Sequence, residues 1–195
     1  MRFRLCEIIF IAGFAAYIVI RGVFEQRSKE GKNVIKQVRR GEVVVILVMA
    51  MGSMLLPIAY LLTPFLGFAD YHLPQFTPFI GTVVMLAALW LFWRSHADLA
   101  ENWSRTLEMR EGHKLITRGL YRSVRHPMYA AICLFSIAQG LLLHNWLAGW
   151  SALAGFVILY FVRVGREERM MAEHFGQEYR DYVSKTGRLF PRIRG

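Results

Sequence analysis

The chain has 195 residues, of which 55% are hydrophobic, and it carries a formal net charge of +10. This length fits one domain, and the hydrophobic content is well above that of soluble proteins. The basic residues lie in separate blocks between long apolar runs and form no continuous stripe, which argues against nucleic acid as a partner. Composition therefore indicates an integral membrane protein, and the long apolar segments predict that it is all-α.

The hydrophobic segments predict about five transmembrane helices. A bilayer core needs about 20 apolar residues for each spanning helix, and the first three helices are predicted at 5–20, 43–63 and 77–93. The apolar block 128–162 is interrupted at 144–146, which predicts two short helices joined by a tight turn. The first run has the basic start of a signal peptide, but a second hydrophobic segment follows it closely, so we expect a retained helix.

The loop charges predict the orientation of these helices, because Lys and Arg collect on the cytoplasmic side of membranes. Three blocks at 21–40, 94–125 and 163–194 hold 22 of the 24 basic residues. Five helices place all three blocks on one face. We therefore expect the N-terminus outside and the functional loops in the cytoplasm.

The tail after the last hydrophobic segment predicts an amphipathic helix, ended by a glycine and a proline. Its apolar residues recur at spacings of four, four and three, and they are Met171, Phe175, Tyr179 and Tyr182. The two cysteines, Cys6 and Cys133, lie in apolar segments with no nearby CxxC or histidine cluster. The sequence therefore predicts neither a disulfide nor a metal site.

Three polar clusters are candidates for chemistry. The first, EMREGHKLITRGLY at 108–121, is also compatible with a plain loop. In the second, RHPMY at 125–129, Pro127 suits the first turn of a helix and Arg125 suits a membrane anchor. His126 and Tyr129 are harder to explain structurally, because polar groups at the membrane boundary need partners.

The third cluster is RVGREER at 163–169. A solvated, salt-bridged helix start is the ordinary meaning of such a run. However, Arg163 and Glu167 are four residues apart and share a helical face, and ionisable residues near a bilayer are functional candidates. Motifs of nucleotide hydrolysis, zinc proteolysis and serine hydrolysis are absent from the sequence.

Taken in order, three stretches resemble the isoprenylcysteine carboxyl methyltransferase family of integral membrane enzymes. They are GHKLITRGLYRSVRHPMY, then Arg163 with Glu167 and Glu168, then HFGQEYRDYVSKTGRLFP. The resemblance covers about residues 100–192 and implies methyl transfer from S-adenosyl-L-methionine to a carboxylate, with S-adenosyl-L-homocysteine as product. It also implies a cytoplasmic cofactor pocket, enclosed by the hairpin and closed by the tail.

The resemblance implies roles for individual residues. Arg163 is expected to bind the substrate and Glu167 the cofactor, and these two are the catalytic candidates. The other cofactor contacts that it implies are Glu108, His113, Lys114, Leu115, Ile116, Tyr121, His126, Pro127, Met128 and Tyr129.

The implied acceptor is a prenylcysteine that enters from the bilayer between helices, so membrane lipids are the expected surroundings. The chain looks like a compact, prokaryotic-type member in the cell membrane, with three N-terminal helices in 1–93 and a catalytic region in 94–195. Phospholipid amines and small thiols stay open as acceptors. A non-catalytic scaffold whose basic loops bind anionic lipid is a further alternative.

Overall fold

The computed structural model describes residues 5–28, 40–99 and 114–192. These ranges contain the helices α1 Leu5–Ser28, α2 Arg40–Ala50, α3 Leu56–Leu62, α4 Thr77–Leu99, α5 Pro127–Leu142, α6 Trp146–Phe175 and α7 Gln177–Lys185. A π-helical turn, Met51–Leu55, joins α2 to α3, and 3-10 turns occupy Pro64–Ala69 and Gly119–Arg122.

Within the described residues, four helical stretches are long and apolar enough to cross a membrane: Leu5–Gln26, Val44–Leu62, Thr77–Leu99 and Trp146–Phe175. The fifth predicted segment, α5, is apolar but shorter, with 16 residues. Each predicted hydrophobic segment is therefore helical. The prediction of an all-α integral membrane protein is confirmed.

The last membrane helix differs from its prediction. We expected two short helices in 128–162, but α6 has 30 residues and continues through RVGREER to Phe175. The run 163–169 is therefore helix interior and not a helix start. The prediction of a single tail helix through 171–182 is also wrong, because Gly176 has φ 56° and separates α6 from α7. Glycine adopts this backbone conformation at no steric cost.

The core lies where α1, α4 and α5 pack together. Its buried residues are Cys6, Phe10, Met85, Ala88, Phe135, Ala138, Leu142, Leu143 and Ala148. α2 packs instead on α6. Small residues allow close contact here, since a Cβ atom added at Gly52 would lie 2.6 Å from the Ser151 carbonyl oxygen.

Four hydrogen bonds of Asn145 fix the hairpin of α5 and α6. The Asn145 Oδ1 atom accepts hydrogen bonds from the N–H groups of Leu147 and Ala148, which caps α6. The Asn145 Nδ2 group donates to the Leu66 carbonyl oxygen at 2.6 Å and to Asp70 Oδ1 at 2.9 Å. The predicted turn between the last two helices is therefore present, and the 66–70 segment is tied to it.

The π-helical turn anchors α2 to the hairpin. The Gly52 carbonyl oxygen accepts hydrogen bonds from Gln139 Nε2 and Ser151 Oγ, each at 2.9 Å. Bonds of this kind stabilise helix contacts in lipid, where water is absent. They hold α2 beside α6, so that α2 forms one wall of the site described next.

Candidate functional site

A cavity of about 460 Å³ lies among α1, α2, α4, α5, α6 and α7. Its apolar lining includes Phe14, Ile18, Ile46, Met49, Ala50, Met54, Ile132 and Leu159. Its polar lining includes Arg21, His96, Lys114, Tyr121, Arg125, His126, Tyr129, Arg163, Glu167, Tyr179 and Tyr182. The cavity is large enough for a small-molecule ligand and combines an apolar wall with a dense polar group.

Most of the predicted site residues line this one cavity. They are Lys114, Leu115, Ile116, Tyr121, His126, Met128, Tyr129, Arg163 and Glu167. Pro127 is fully buried in the first turn of α5 and fixes the helix start without lining the cavity. Glu108 and His113 lie outside the described residues. The roles assigned to all these residues stay predictions.

Glu167 is held between α5 and α6. The Tyr129 hydroxyl donates a hydrogen bond to Glu167 Oε2 at 3.0 Å, and His126 Nδ1 lies 4.0 Å from Glu167 Oε1. The side chain of Glu167 keeps 29% of its surface exposed. Arg163 lies one helical turn earlier on α6 and lines the same cavity, so the four-residue spacing does place both side chains at one site.

Glu168 carries a second polar cluster, which sequence reasoning left without a role. Its Oε1 atom accepts a hydrogen bond from Arg125 Nε at 3.1 Å and lies 3.3 Å from His126 Nε2. Arg188 Nη2 donates to Glu168 Oε2 at 2.6 Å. Because consecutive helical residues point in different directions, Glu167 reaches the cavity while Glu168 binds the chain after α7.

The interpretation of Arg125 as a membrane anchor is wrong. Only 8% of its side chain is exposed, and besides Glu168 it donates to the carbonyl oxygens of Val183 and Thr186. A buried arginine needs a carboxylate and further hydrogen-bond acceptors as partners. The RHPMY motif by itself does not show where these partners lie in the sequence. The sequence does contain a signal for the pairing of Arg125 with Glu168: an arginine comes directly before His126, and a second glutamate comes directly after Glu167.

The chain after α7 closes over the RHPMY segment. The backbone N–H groups of Arg125 and His126 donate to the carbonyl oxygens of Gly187 and Arg188, at 2.8 Å and 2.9 Å. The Tyr182 hydroxyl donates to the Tyr121 carbonyl oxygen at 2.6 Å. Burial raises the pKa of Tyr182 to about 12, further above neutral pH than the ordinary tyrosine value, so this hydroxyl acts as a hydrogen-bond donor here.

Asp98 and Gly119 position Tyr121. Asp98 Oδ2 accepts a hydrogen bond from the Leu120 N–H at 2.8 Å, and Arg94 Nη2 lies 3.1 Å from Asp98 Oδ1. Gly119 has φ +59°, and a Cβ atom there would lie 2.2 Å from Asp98 Oδ2. The turn that buries Tyr121 therefore depends on a glycine and on a carboxylate from the end of α4.

Two further polar residues of the cavity lie beyond the predicted ends of the first and third hydrophobic segments, where α1 and α4 continue. Arg21 Nη1 donates to the Tyr17 hydroxyl at 3.5 Å on α1, and His96 on α4 is fully buried with Nδ1 at 2.8 Å from the Phe92 carbonyl oxygen. Among the described residues, the cavity lining thus includes the basic side chains of Arg21, Lys114, Arg125 and Arg163 and one carboxylate, that of Glu167. This excess of positive charge favours an anionic ligand group.

The fold and the cavity define a helical membrane protein with a cationic, tyrosine-rich site beside an apolar wall. Residues 79–173 match the family model of the isoprenylcysteine carboxyl methyltransferase (ICMT) family. The match supports the ICMT family for this chain, and it runs from α4 through most of α6.

Relatives with known names support the same assignment. A probable protein-S-isoprenylcysteine O-methyltransferase of Oryza sativa subsp. indica is 32% identical over 90 residues, which cover 45% of this chain and 46% of that protein. Protein-S-isoprenylcysteine O-methyltransferase B of Arabidopsis thaliana is 28% identical over 110 residues, covering 55% of this chain and 52% of that protein. The chain therefore matches about half the length of these relatives.

A solved structure shares the fold. It is the eukaryotic intramembrane Ras methyltransferase ICMT (isoprenylcysteine carboxyl methyltransferase) without a monobody. The TM-score is 0.58 at 20% sequence identity, and the alignment covers 96% of this chain and 69% of that one. At this identity the likeness concerns the fold alone, and it extends to α1–α3, where the sequence showed no resemblance beyond hydrophobicity.

Proposed function

We propose that this protein transfers a methyl group from S-adenosyl-L-methionine to the carboxylate of a lipophilic acceptor, of which a prenylcysteine is the preferred candidate. One observation carries the proposal: Arg163 and Glu167 share a cavity that also has an apolar wall. Relatives named as protein-S-isoprenylcysteine O-methyltransferases support the reaction class. The concentration of basic residues near the site favours a cytoplasmic position.

The residues of the cavity fit the proposed methyl donor. When bound, S-adenosyl-L-methionine supplies a methyl group activated by a sulfonium charge. Tyr121 and Tyr129 offer aromatic faces to a cation, and the Glu167 carboxylate can accept hydrogen bonds from ribose hydroxyls. The backbone N–H groups of the 114–116 segment suit the carboxylate of the same molecule.

Arg163 is suited to orient the acceptor carboxylate, because a guanidinium group forms paired, planar hydrogen bonds with a carboxylate. A carboxylic acid of this kind has a pKa of about 3.5 and is ionised at neutral pH. The protein therefore has no proton to remove from the acceptor. Its contribution is to hold the reacting groups in line and to keep water out.

The apolar wall suits a prenyl chain. Ile18, Ile46 and Met54 line the cavity, and 48%, 39% and 43% of their surfaces are exposed. Ile18 belongs to α1, which packs on α4 and α5. Ile46 belongs to α2, which packs on α6. A lipid tail could stay in hydrocarbon at this position, which saves about 0.8 kcal/mol for each CH₂ group kept out of water.

A methyl-transfer assay with labelled S-adenosyl-L-methionine tests this function. The detergent-solubilised protein is given farnesylcysteine, its C-terminal amide, a phospholipid amine and a small thiol. We expect labelling of farnesylcysteine, none of the amide, and a rate that does not rise with pH, because a carboxylate loses no proton. Preferred labelling of the amine or thiol, with a rate that rises with pH, would contradict the carboxylate assignment.

The scaffold alternative makes a different prediction in the same assay. A protein that only binds anionic lipid would label none of the four acceptors. Its lipid association would also be insensitive to changes at His126, Tyr129 and Glu167. Labelling of farnesylcysteine that is lost in Glu167→Ala would exclude this alternative.

A further inference from the structure

A second groove, of about 400 Å³, lies beside Glu168, outside the main cavity. Its walls come from the end of α6, from α7 and from the chain that follows α7. Three arginines from these three elements line it: Arg169, Arg180 and Arg188. The proposed methyl transfer uses neither Arg169 nor Arg180, and the family resemblance assigns no role to either residue.

The groove continues the lipid-facing side of α6. Phe161 is 78% exposed within the membrane-spanning stretch Trp146–Phe175. Gly165 and Arg169 follow at four-residue intervals, are also exposed, and both line the groove. Residues at this spacing lie along one side of a helix. A lipid whose tail lies beside Phe161 would therefore have its headgroup at the groove.

The charges in the groove favour an anion. Arg169 Nε donates to the Gly165 carbonyl oxygen at 3.3 Å, and Arg180 Nε donates to Gln177 Oε1 at 2.9 Å. Both bonds use Nε, so the two Nη groups of each guanidinium can meet a further acceptor. Of the described residues that line this groove, only Glu168 carries a carboxylate, and its two oxygens already accept from Arg125 and Arg188.

We propose that this groove binds the phosphate group of an anionic phospholipid. Guanidinium groups bind phosphate oxygens in pairs, and basic pockets next to membrane helices suit lipid headgroups. Phe190 is 77% exposed two residues after Arg188, which suits the interface between water and lipid. The bound lipid would hold α7 and the segment of Arg188 at the membrane surface, beside the main cavity.

Native mass spectrometry of the full chain in detergent tests this site, with added phosphatidylglycerol or phosphatidylcholine. The test variant is Arg169→Gln with Arg180→Gln. The matched control is Arg118→Gln with Arg122→Gln, which removes the same charge from exposed residues outside the groove. All four arginines are exposed, so both variants should fold, and size-exclusion chromatography checks this.

The unmodified protein should retain phosphatidylglycerol in preference to phosphatidylcholine. The affinity should fall at least tenfold in the groove variant and stay within about twofold in the control. Equal losses in both variants would mean general attraction to positive charge and would overturn the proposal, as would no loss in either.

Inorganic phosphate separates a lipid site from a site for free anions. Added at the concentration of the phosphatidylglycerol, it should leave the retained lipid in place, because it lacks the acyl chains that contact the side of α6. Full displacement by inorganic phosphate would show a free-anion site and would contradict the lipid assignment. None of these outcomes depends on methyl transfer, so the proposed function is tested separately.

Discussion

Two consecutive glutamates show how neighbouring residues of one helix have different tasks. Glu167 faces the main cavity and accepts a hydrogen bond from the Tyr129 hydroxyl at 3.0 Å. Glu168 is 15% exposed and binds Arg125 and Arg188, which belong to separate parts of the chain. We therefore expect changes at Glu167 to act on ligand binding and changes at Glu168 to act on folding.

Glu168→Gln should lower the free energy of unfolding by about 3 kcal/mol. The substitution keeps the shape of the side chain but leaves the Arg125 guanidinium buried without a carboxylate, and unpaired buried charges are strongly destabilising. Thermal and denaturant unfolding in detergent measure the effect. Glu173→Gln is the control, because Glu173 is exposed on the same helix. Equal stability of both variants would contradict a structural role of Glu168.

Arg163→Lys should separate donor binding from turnover. Lysine keeps the positive charge but cannot form paired, planar bonds with the acceptor carboxylate. We expect kcat/KM for farnesylcysteine to fall at least tenfold, while the affinity for S-adenosyl-L-homocysteine stays within about twofold. Arg166→Lys, on the same helix but outside the cavity lining, should change neither quantity. Parallel loss of binding and turnover would mean that Arg163 holds the donor.

At the scale of elements, α6 organises the site and also shows where sequence patterns mislead. The four-residue spacing of Arg163 and Glu167 correctly predicted one shared face. The apolar spacing from Met171 to Tyr182 suggested one continuous helix, although Gly176 breaks it at φ 56°. Tyr179 and Tyr182 are still buried after the break, because α7 contacts Tyr121 and Arg125. Helical spacing detects buried residues but does not detect a change of helix direction.

The 3-10 turn before α5 should be sensitive to a single methyl group. Gly119→Ala places a Cβ atom 2.2 Å from Asp98 Oδ2 and forces a non-glycine residue to φ +59°. We expect a loss of about 1–3 kcal/mol in unfolding free energy, together with weaker donor binding through displacement of Tyr121. Gly22→Ala is the control, since a Cβ atom there meets nothing within 4 Å. If both variants were equally stable, the turn would be less constrained than its geometry indicates.

At the scale of the whole molecule, the cavity connects two kinds of environment. Side chains of α1 and α2 give it an apolar wall next to the lipid, and the loop, hairpin and tail give it cations, tyrosines and a carboxylate. An enzyme that transfers a group from a polar donor to a lipophilic acceptor needs both environments. This arrangement explains why residues from α1 to α7 meet at one site, although the family match covers residues 79–173.

The sequence predicts the architecture better than the contacts within it. Long apolar runs mark membrane helices directly, and the order of motifs points to Tyr129, Arg163 and Glu167. The partners of Arg125 and Asp98 were missed, because Arg125 meets Glu168 at a separation of 43 residues and Asp98 meets Leu120 at a separation of 22. Such pairings depend on how helices pack. No local pattern of residue types encodes them.

Calorimetric titration of the detergent-solubilised chain with S-adenosyl-L-methionine tests the central claim most directly. The geometry predicts saturable binding of micromolar affinity or better, which Glu167→Ala abolishes because the carboxylate in the cavity is gone. Glu178→Ala, at an exposed position of α7, should bind like the unmodified protein. Absence of binding to the unmodified protein, or unchanged affinity in Glu167→Ala, would contradict the assignment of this cavity as the methyl-donor site.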